Sequence, residues 1–111
     1  MTPHRQRAWN QDVKMMTYPE ELLTKDCVWM YLNQADDYIW MRSTDLFDKN
    51  GKEIFEGDIF DDGFKYRDSV IFKNGAFREK KDGEPLSECR VTDLEVIGNC
   101  YENPELMERK E

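Results

Sequence analysis

The dipeptide Asn74-Gly75 constrains the fold more than any other feature of this sequence. It lies between two runs rich in β-branched and aromatic residues, 69–73 and 76–79. Asn-Gly between such runs is the strongest short-range sign of a β-hairpin, because both residues accept the positive φ angles of a tight two-residue turn. The sequence therefore predicts an antiparallel hairpin here, and with it a fold built from strands.

Other segments show an alternation of apolar and polar residues, which is typical of half-buried strands. This alternation predicts strands at 38–44 and 94–101, and a dense apolar run predicts a buried strand at 27–32. A further strand is expected at 52–60, with a bend or bulge at Gly57. Short strands joined by Asn-Gly and Asp-Gly turns favour a mainly β fold, a small barrel or rolled sheet.

Two short segments are expected to be helical. Residues 18–23 contain a proline followed by two acidic residues, which suits a first helical turn. Asn103-Pro104 resembles a helix N-cap followed by proline at the first helical position, and it predicts a second short helix. Both segments are too short to be helical without packing on the rest of the chain.

The size and hydropathy of the chain exclude several classes of protein. Its 111 residues suffice for one domain, and 39% apolar residues suffice for a hydrophobic core. No stretch approaches the ~18 apolar residues of a membrane span, and the basic start lacks the apolar run of a secretion signal. Cys27, Cys89 and Cys100 are odd in number and widely spaced, as in reduced cytosolic proteins. We therefore expect a cytoplasmic protein that does not bind membranes.

The charge of the chain opposes nucleic acid binding, with one local exception. With 16 Lys and Arg against 24 Asp and Glu, the net charge is −8, which repels phosphate. Residues 65–81 are basic, and they supply the candidate nucleic-acid-binding side chains Lys65, Arg67, Lys73, Arg78, Lys80 and Lys81.

Two interpretations of this basic hairpin remain open. Its cations either keep an outward-facing hairpin soluble and discourage edge-to-edge pairing, which we favour, or they bind a nucleic acid strand that stacks on Tyr66 or Phe77. The acidic balance of the whole chain suggests a third role. The protein would then be an inhibitor that mimics nucleic acid and occupies a basic cleft on a host protein.

Asp58, Asp61 and Asp62 are the best candidates for metal-assisted chemistry, since neighbouring carboxylates can hold Mg²⁺. Aspartate and glycine also dominate ordinary turns, so Asp61-Asp62-Gly63 is more simply interpreted as a turn that ends a strand. The single histidine, His4, lies near the start, and the sequence contains no phosphate-binding loop or nucleophile motif. We expect no enzyme activity, no catalytic residues, no metal and no cofactor.

Several segments resemble the YopX-like family of phage and prophage proteins. They are Arg7-Ala8-Trp9-Asn10, the central block 44–59, the hairpin segments 70–72 and 75–77, and the final block 95–106. The resemblance covers nearly the whole chain. It departs from the family at Asp45, where glycine is common, and at Cys100, where an aliphatic residue is common.

The resemblance implies a mainly β fold with a small barrel-like, SH3-like antiparallel sheet and one or two short helices. It implies a single domain over 1–111, in which an N-terminal part, 1–44, packs against a barrel-like part, 45–111. It also implies a phage or prophage origin, a bacterial host cytoplasm and a tendency to form homo-oligomers, but no agreed activity. We therefore expect a non-catalytic interaction protein whose partner is a host or phage protein.

Overall fold

The computed structural model describes residues 5–18, 38–64 and 66–107 of the chain. In order, these residues form the strands β1 (Gln6–Asn10), β2 (Met15–Thr17), β3 (Tyr38–Phe47), β4 (Glu53–Phe55), β5 (Asp58–Asp61), β6 (Arg67–Lys73), β7 (Ala76–Glu79), the helix α1 (Glu88–Val91), the strand β8 (Glu95–Asn99) and the 3₁₀ helix η1 (Pro104–Met107). The predicted mainly β fold, with a barrel-like antiparallel sheet and short helices, is confirmed. The strand predicted at 27–32 lies outside the described residues, as does nearly all of the helix predicted at 18–23.

The chain divides into two compact units, Met1–Ser43 and Thr44–Glu111. In the first unit β1 is flanked on both sides. It pairs antiparallel with β2, where Trp9 lies opposite Met16, and with the start of β3, where Ala8 lies opposite Trp40. Ala8 and Trp9 are buried. The expected packing of the two parts into one domain stays a prediction.

The β1–β2 hairpin is not predicted from the sequence, and its turn explains why. The turn contains no glycine or proline; instead, Asn10 Oδ1 accepts hydrogen bonds from the backbone N–H groups of Asp12 and Val13, at 2.8 and 3.1 Å. Lys14 completes the turn with a φ of 61°. A side-chain oxygen therefore does here what glycine does in the hairpin that the sequence predicts.

The second unit is built around β5 and β6, the central strands of a sheet with the order β7-β6-β5-β8. All neighbouring strands in it are antiparallel. The hairpin predicted around Asn74-Gly75 is confirmed, because Lys73 lies opposite Ala76 and the φ angles of Asn74 and Gly75 are 52° and 79°. The strand predicted at 94–101 is confirmed as β8.

The prediction of one strand over 52–60 is wrong, because the chain turns at Gly57. This glycine has a φ of 86°, and the turn is closed by Asp58 Oδ2, which accepts a hydrogen bond from the Phe55 N–H at 2.8 Å. The turn separates β4, which lies beside the end of β3, from β5, which lies in the other sheet. A single glycine at positive φ thus changes the sheet to which the chain contributes.

Strand β3 continues to Phe47, beyond the predicted end at residue 44. Within it, Asp45 has a φ of 63°, a backbone region that favours glycine. This conformation gives a physical reason for the glycine that is common at this position in the family that the sequence resembles.

The core of the second unit is a cluster of buried apolar side chains from its strands and from α1. Its members are Ile54, Phe60, Val70, Val91, Leu94 and Val96, with Leu46, Tyr66, Phe77 and Leu86 packed around them. The strand members lie on the inward face of each strand, as the alternating pattern predicts.

The described helices are short. Helix α1 is not predicted from the sequence; the Oγ of its N-cap, Ser87, accepts a hydrogen bond from the Arg90 N–H at 3.2 Å. The helix predicted after Asn103 forms as the 3₁₀ helix η1. None of the helices in the described ranges is long and apolar enough to cross a membrane.

The outer edge of β7 is covered by the segment that follows it. The Leu86 N–H donates to the Phe77 carbonyl, and the Glu79 N–H donates to the Glu84 carbonyl, both at 2.9 Å. These bonds occupy backbone groups that an edge strand would otherwise present to another chain.

The outer edge of β8 is covered in a different way, by two side-chain oxygens and one loop. The Val96 N–H donates to Asp48 Oδ2 at 2.8 Å, and the Asn99 N–H donates to Asn103 Oδ1 at 3.2 Å. The Leu94 carbonyl accepts from the Lys49 N–H at 2.9 Å. Both edges of this sheet are therefore blocked by the chain itself.

Candidate functional site

In the structure, some cations of the predicted basic hairpin bind other groups of the fold, whereas others are exposed. Lys65 lies outside the described residues. Arg67 is half-buried, and its Nε lies 3.1 Å from Asp61 Oδ2, while its Nη1 donates to the Leu106 carbonyl at 3.1 Å. Its guanidinium thus ties β6 to β5 and to η1.

Two further cations of the predicted set also bind backbone carbonyls. Arg78 donates from Nε to the Lys73 carbonyl at 2.8 Å and from Nη1 to the Gly83 carbonyl at 3.1 Å. Lys81 donates from Nζ to the Arg67 carbonyl at 3.0 Å. Both side chains therefore help to hold the hairpin and the loop that follows it.

Lys73 and Lys80 are the remaining members of the predicted set. Both are exposed, and the described part of the chain offers their ammonium groups no hydrogen bond or ion pair. The structure thus leaves a smaller cationic surface than the sequence suggests. A nucleic-acid-binding role for these residues stays a prediction.

The aspartate cluster forms turns at both ends of β5. Asp58 is buried at the start of the strand, where it closes the Gly57 turn. At the other end, Asp61 Oδ1 accepts from the Gly63 N–H at 2.7 Å. That hydrogen bond, with help from the neighbouring Arg67 guanidinium, holds the pKa of the Asp61 carboxyl below its ordinary value against the opposing effect of burial.

Metal-ligand geometry is not found among the described residues. Within 5–18, 38–64 and 66–107, no three carboxylate, thiol or imidazole side chains come together in a way that could hold a metal ion. Cys89 is exposed, Cys100 is half-buried, and Cys27 lies outside these ranges. The described carboxylates that are most buried have internal hydrogen-bond donors instead.

Asp68 is the most heavily bonded of these carboxylates. It is fully buried on β6 and accepts from the Tyr66 hydroxyl at 2.9 Å, from the Lys81 N–H at 3.0 Å and from the Ser69 N–H at 2.8 Å. The Asp82 N–H lies 3.4 Å away. Burial and the hydrogen bond to Asp68 raise the pKa of the Tyr66 phenol above its ordinary range. Asp68 therefore binds the loop after β7 to the start of β6.

Glu79 and Asp48 serve similar structural roles elsewhere in the unit. Glu79, buried on β7, accepts two hydrogen bonds from the Arg90 guanidinium, at 3.1 and 3.2 Å. This bidentate pair raises the pKa of Arg90. Asp48 accepts from the backbone N–H groups of Asn50 and Lys52, both at 2.9 Å, in addition to that of Val96.

Large apolar side chains, in contrast, stand exposed on both units. In the second unit Phe64 is 87% exposed, Phe47 52% and Phe72 38%. Phe72 rests against Phe77 in an edge-to-face pair with ring centroids 5.0 Å apart. In the first unit Val13 and Met15 are 58% and 62% exposed. The sequence analysis does not identify Phe64 as an exposed aromatic residue.

The loop that carries Phe64 has a backbone fixed by hydrogen bonds. Asp62 Oδ1 accepts from the Phe64 N–H at 2.7 Å and from the Tyr66 N–H at 3.3 Å, and the Asp62 N–H donates to the Tyr66 carbonyl at 3.1 Å. Gly63, with a φ of 86°, lets the chain make this turn. The signal in the sequence was the Asp-Asp-Gly step directly before a phenylalanine.

Comparisons with known proteins agree with this fold. The profile of the family described as YopX protein matches residues 5–108. The crystal structure of protein EF1440 from Enterococcus faecalis is similar with a TM-score of 0.75 at 22% identity, covering 97% of this chain and 100% of that one. The crystal structure of protein yopX from Bacillus subtilis gives a TM-score of 0.58 at 23% identity, covering 94% and 98%. No curated protein matches the sequence.

Proposed function

The chain belongs to the YopX family, and from this premise we propose that it is a non-catalytic protein-binding module, encoded by a phage or prophage and acting in the cytoplasm of the bacterial host. Its partner is a host or phage protein. The proposal rests on which groups of the second unit are engaged within the fold and which are left exposed.

The observation that carries this proposal is the exposure of Phe64 directly after a hydrogen-bonded turn. A single exposed apolar side chain is common on protein surfaces, but this ring is 87% exposed on a loop whose backbone is held by Asp61 and Asp62. Burying a phenylalanine side chain contributes about 1.5–3 kcal/mol. Phe64 therefore suits an anchor residue of an interface, where aromatic residues are enriched.

At the β7-β6-β5-β8 sheet, the covered edges support contact through side chains rather than through strand addition. A partner strand would need unpaired backbone groups along β7 or β8. The Glu84–Leu86 contacts occupy those of β7, and the contacts of Asp48 and Asn103 occupy those of β8. Binding through the exposed Phe64 ring needs no unpaired backbone groups.

The charged groups favour this proposal over nucleic acid binding, the first of its two rivals. Three cations of the predicted basic strip, Arg67, Arg78 and Lys81, are engaged with the fold itself, which weakens the case for a nucleic-acid surface. Asp48, Asp68 and Glu79 likewise accept internal hydrogen bonds in buried positions. Other carboxylates are exposed, among them Asp82, Glu84, Glu88 and Asp93, so nucleic acid mimicry is distinguished by the experiment below.

The proposal is tested by photo-crosslinking in the host cell. The full chain is produced with p-benzoylphenylalanine in place of Phe64, and matched against the same replacement at Val13, an apolar residue also more than half exposed. We expect a protein adduct at position 64 that is absent at position 13. Phe64→Ser should abolish co-purification of the same partner while the far-ultraviolet circular dichroism stays unchanged.

Other results would assign a different function. Adducts to nucleic acid alone would support the basic hairpin, and the Lys73→Glu/Lys80→Glu variant would then lose them. A protein adduct that added DNA displaces would indicate nucleic acid mimicry. Metal-dependent turnover by the purified protein that disappears in Asp62→Asn would overturn the non-catalytic proposal.

A further inference from the structure

The chain contains two Asn-Gly dipeptides, and the hydrogen bonds around them differ. Asn-Gly is the dipeptide most prone to spontaneous deamidation, since glycine lacks the Cβ that would hinder attack by its own backbone nitrogen on the asparagine side chain. Asparagine is accordingly a thermolabile residue. Both Asn50 and Asn74 are exposed, so exposure does not distinguish them.

The turn at Asn50-Gly51 is tied to the rest of the second unit. The Gly51 N–H, the group that would attack, donates to the Asp48 carbonyl at 2.9 Å. The Asn50 N–H donates to Asp48 Oδ1 at 2.9 Å, and Asn50 Nδ2 lies 3.4 Å from Glu95 Oε2. Rotating this turn into a reactive geometry therefore breaks several contacts with β8 and with a buried carboxylate.

The turn at Asn74-Gly75 has no comparable ties. Among the described residues, no hydrogen bond is made by the Asn74 side chain or by the Gly75 N–H, and the neighbouring Phe72 and Lys73 are exposed. The turn is held by its flanking strand pairs, Lys73 with Ala76 and Phe72 with Phe77, and by the hydrogen bond from Arg78 Nε to the Lys73 carbonyl at 2.8 Å. It can open locally without disturbing the core, since hairpin tips are among the least protected parts of a fold.

We propose that Asn74 is a site of spontaneous deamidation and that Asn50, in the same chain, is protected from it. The Gly75 backbone nitrogen loses its proton to hydroxide and forms a bond to Asn74 Cγ, and the side-chain nitrogen leaves as ammonia. Water then opens the five-membered imide at either carbonyl. The products are aspartate and isoaspartate at position 74, and no oxidant or reductant is involved.

The two products have opposite consequences for the hairpin. Aspartate keeps the turn, because Asp-Gly is as suitable as Asn-Gly for a two-residue hairpin loop. Isoaspartate adds one methylene to the main chain, which a two-residue turn cannot accept without losing the register of Lys73 and Ala76. Each product also adds a negative charge beside Lys73. Deamidation thus yields two forms with the same added charge, one that keeps the turn and one that disrupts it.

The test follows both asparagines in one sample by peptide mapping with mass spectrometry, during incubation of the full folded chain in mildly alkaline buffer. We expect conversion at Asn74 to be at least about tenfold faster than at Asn50, because each extra hydrogen bond that must break slows opening several-fold. In concentrated urea the two rates should become similar. The Asn74→Asp variant, whose turn stays favourable, provides the mass and charge standard for the aspartate product.

Two results would overturn the proposal. One is an equal rate at Asn50 and Asn74 in the folded chain. The other is an Asn74 that stays intact in the folded chain over a period in which the urea-unfolded chain converts fully. Isoaspartate is identified by its retention time against the Asn74→Asp standard, so hydrolysis through the imide is distinguished from a sequence error or a direct substitution.

Discussion

The two ends of the β6–β7 hairpin are held together by different kinds of interaction. The tip, residues 72–77, is closed by Asn74 and Gly75 at positive φ and by the adjacent strand pairs. The base, residues 66–70 and 79–82, is closed by the buried carboxylates Asp68 and Glu79, which bind groups from other segments. Local backbone conformation thus forms the tip, whereas tertiary hydrogen bonds form the base. The difference predicts where the hairpin is sensitive to substitution.

Within the β6–β7 hairpin, the largest effect is expected at Asp68. Asp68→Ala removes the acceptor for the Tyr66 hydroxyl and for backbone N–H groups of Ser69 and Lys81, and leaves these wholly or partly buried groups without that partner. We expect the free energy of unfolding to fall by about 3 kcal/mol in chemical denaturation. Asp82→Ala, which removes an exposed carboxylate from the same loop, serves as the control and should cost less than about 0.5 kcal/mol. Equal losses in the two variants would mean that the buried hydrogen bonds of Asp68 are not what closes the base.

A smaller effect is expected at the tip. Gly75 has a φ of 79°, where a Cβ is unfavourable although no atom lies within 4 Å of it. Gly75→Ala should therefore lower the free energy of unfolding by about 1–2 kcal/mol, and Gly75→Asn by less, because asparagine tolerates this conformation. If the two substitutions cost the same, backbone conformation is not what closes the tip.

The contribution of Asp61, at the loop before β6, to the free energy of unfolding is expected to depend on pH. Because the folded-state pKa of Asp61 is lowered, its ionised form stabilises the fold above the unfolded-state value of about 3.9. This contribution is lost as the pH falls through the lower folded-state pKa. Asp61→Asn should thus be less stable than the parent chain near neutral pH, by under about 1 kcal/mol for so exposed a pair, and the difference should vanish in strong acid. A difference that is constant with pH would contradict this account.

The smallest effect is expected at Phe64, which lies on the same loop as Asp61 and Asp62. The ring is 87% exposed, so Phe64→Ala should change the free energy of unfolding by less than about 0.5 kcal/mol. The matched variant Phe60→Ala, which removes a 1% exposed ring four residues earlier, in β5, should cost about 3–5 kcal/mol. Thermal unfolding of both variants measures the contrast. A large loss at Phe64 would mean that the ring supports the fold rather than a partner.

The tip could be predicted from the sequence because its determinants are adjacent residues. Asn74-Gly75 and the apolar runs beside it specify the hairpin without reference to the rest of the chain. The base could not be predicted, because Asp68 and its partners Lys81 and Asp82 lie far apart along the chain. A buried carboxylate looks like any exposed one in a sequence with 24 acidic residues.

The lack of a local sequence signal also explains the wrong strand prediction at Gly57 and the unpredicted exposure of Phe64. Whether a glycine in an apolar run makes a bulge or a complete turn depends on which sheet receives the next strand, and nothing local specifies that choice. The turn at Asp61-Asp62-Gly63 was predictable from turn chemistry. The exposure of Phe64 was not, because an apolar residue beside a turn enters the core in most proteins.

The order in which the sheet is completed has a consequence for the protein while it is being synthesised. β6 and β7 can pair as soon as they leave the ribosome, but the other side of β5 pairs with β8, which is made much later. Until β8 arrives, β5 presents an unpaired edge beside Ile59 and Phe60, two side chains that end up buried. Nascent chains in this state can pair with one another through that edge. Slower synthesis between β7 and β8 should therefore increase co-translational aggregation, although the finished sheet is closed on both sides.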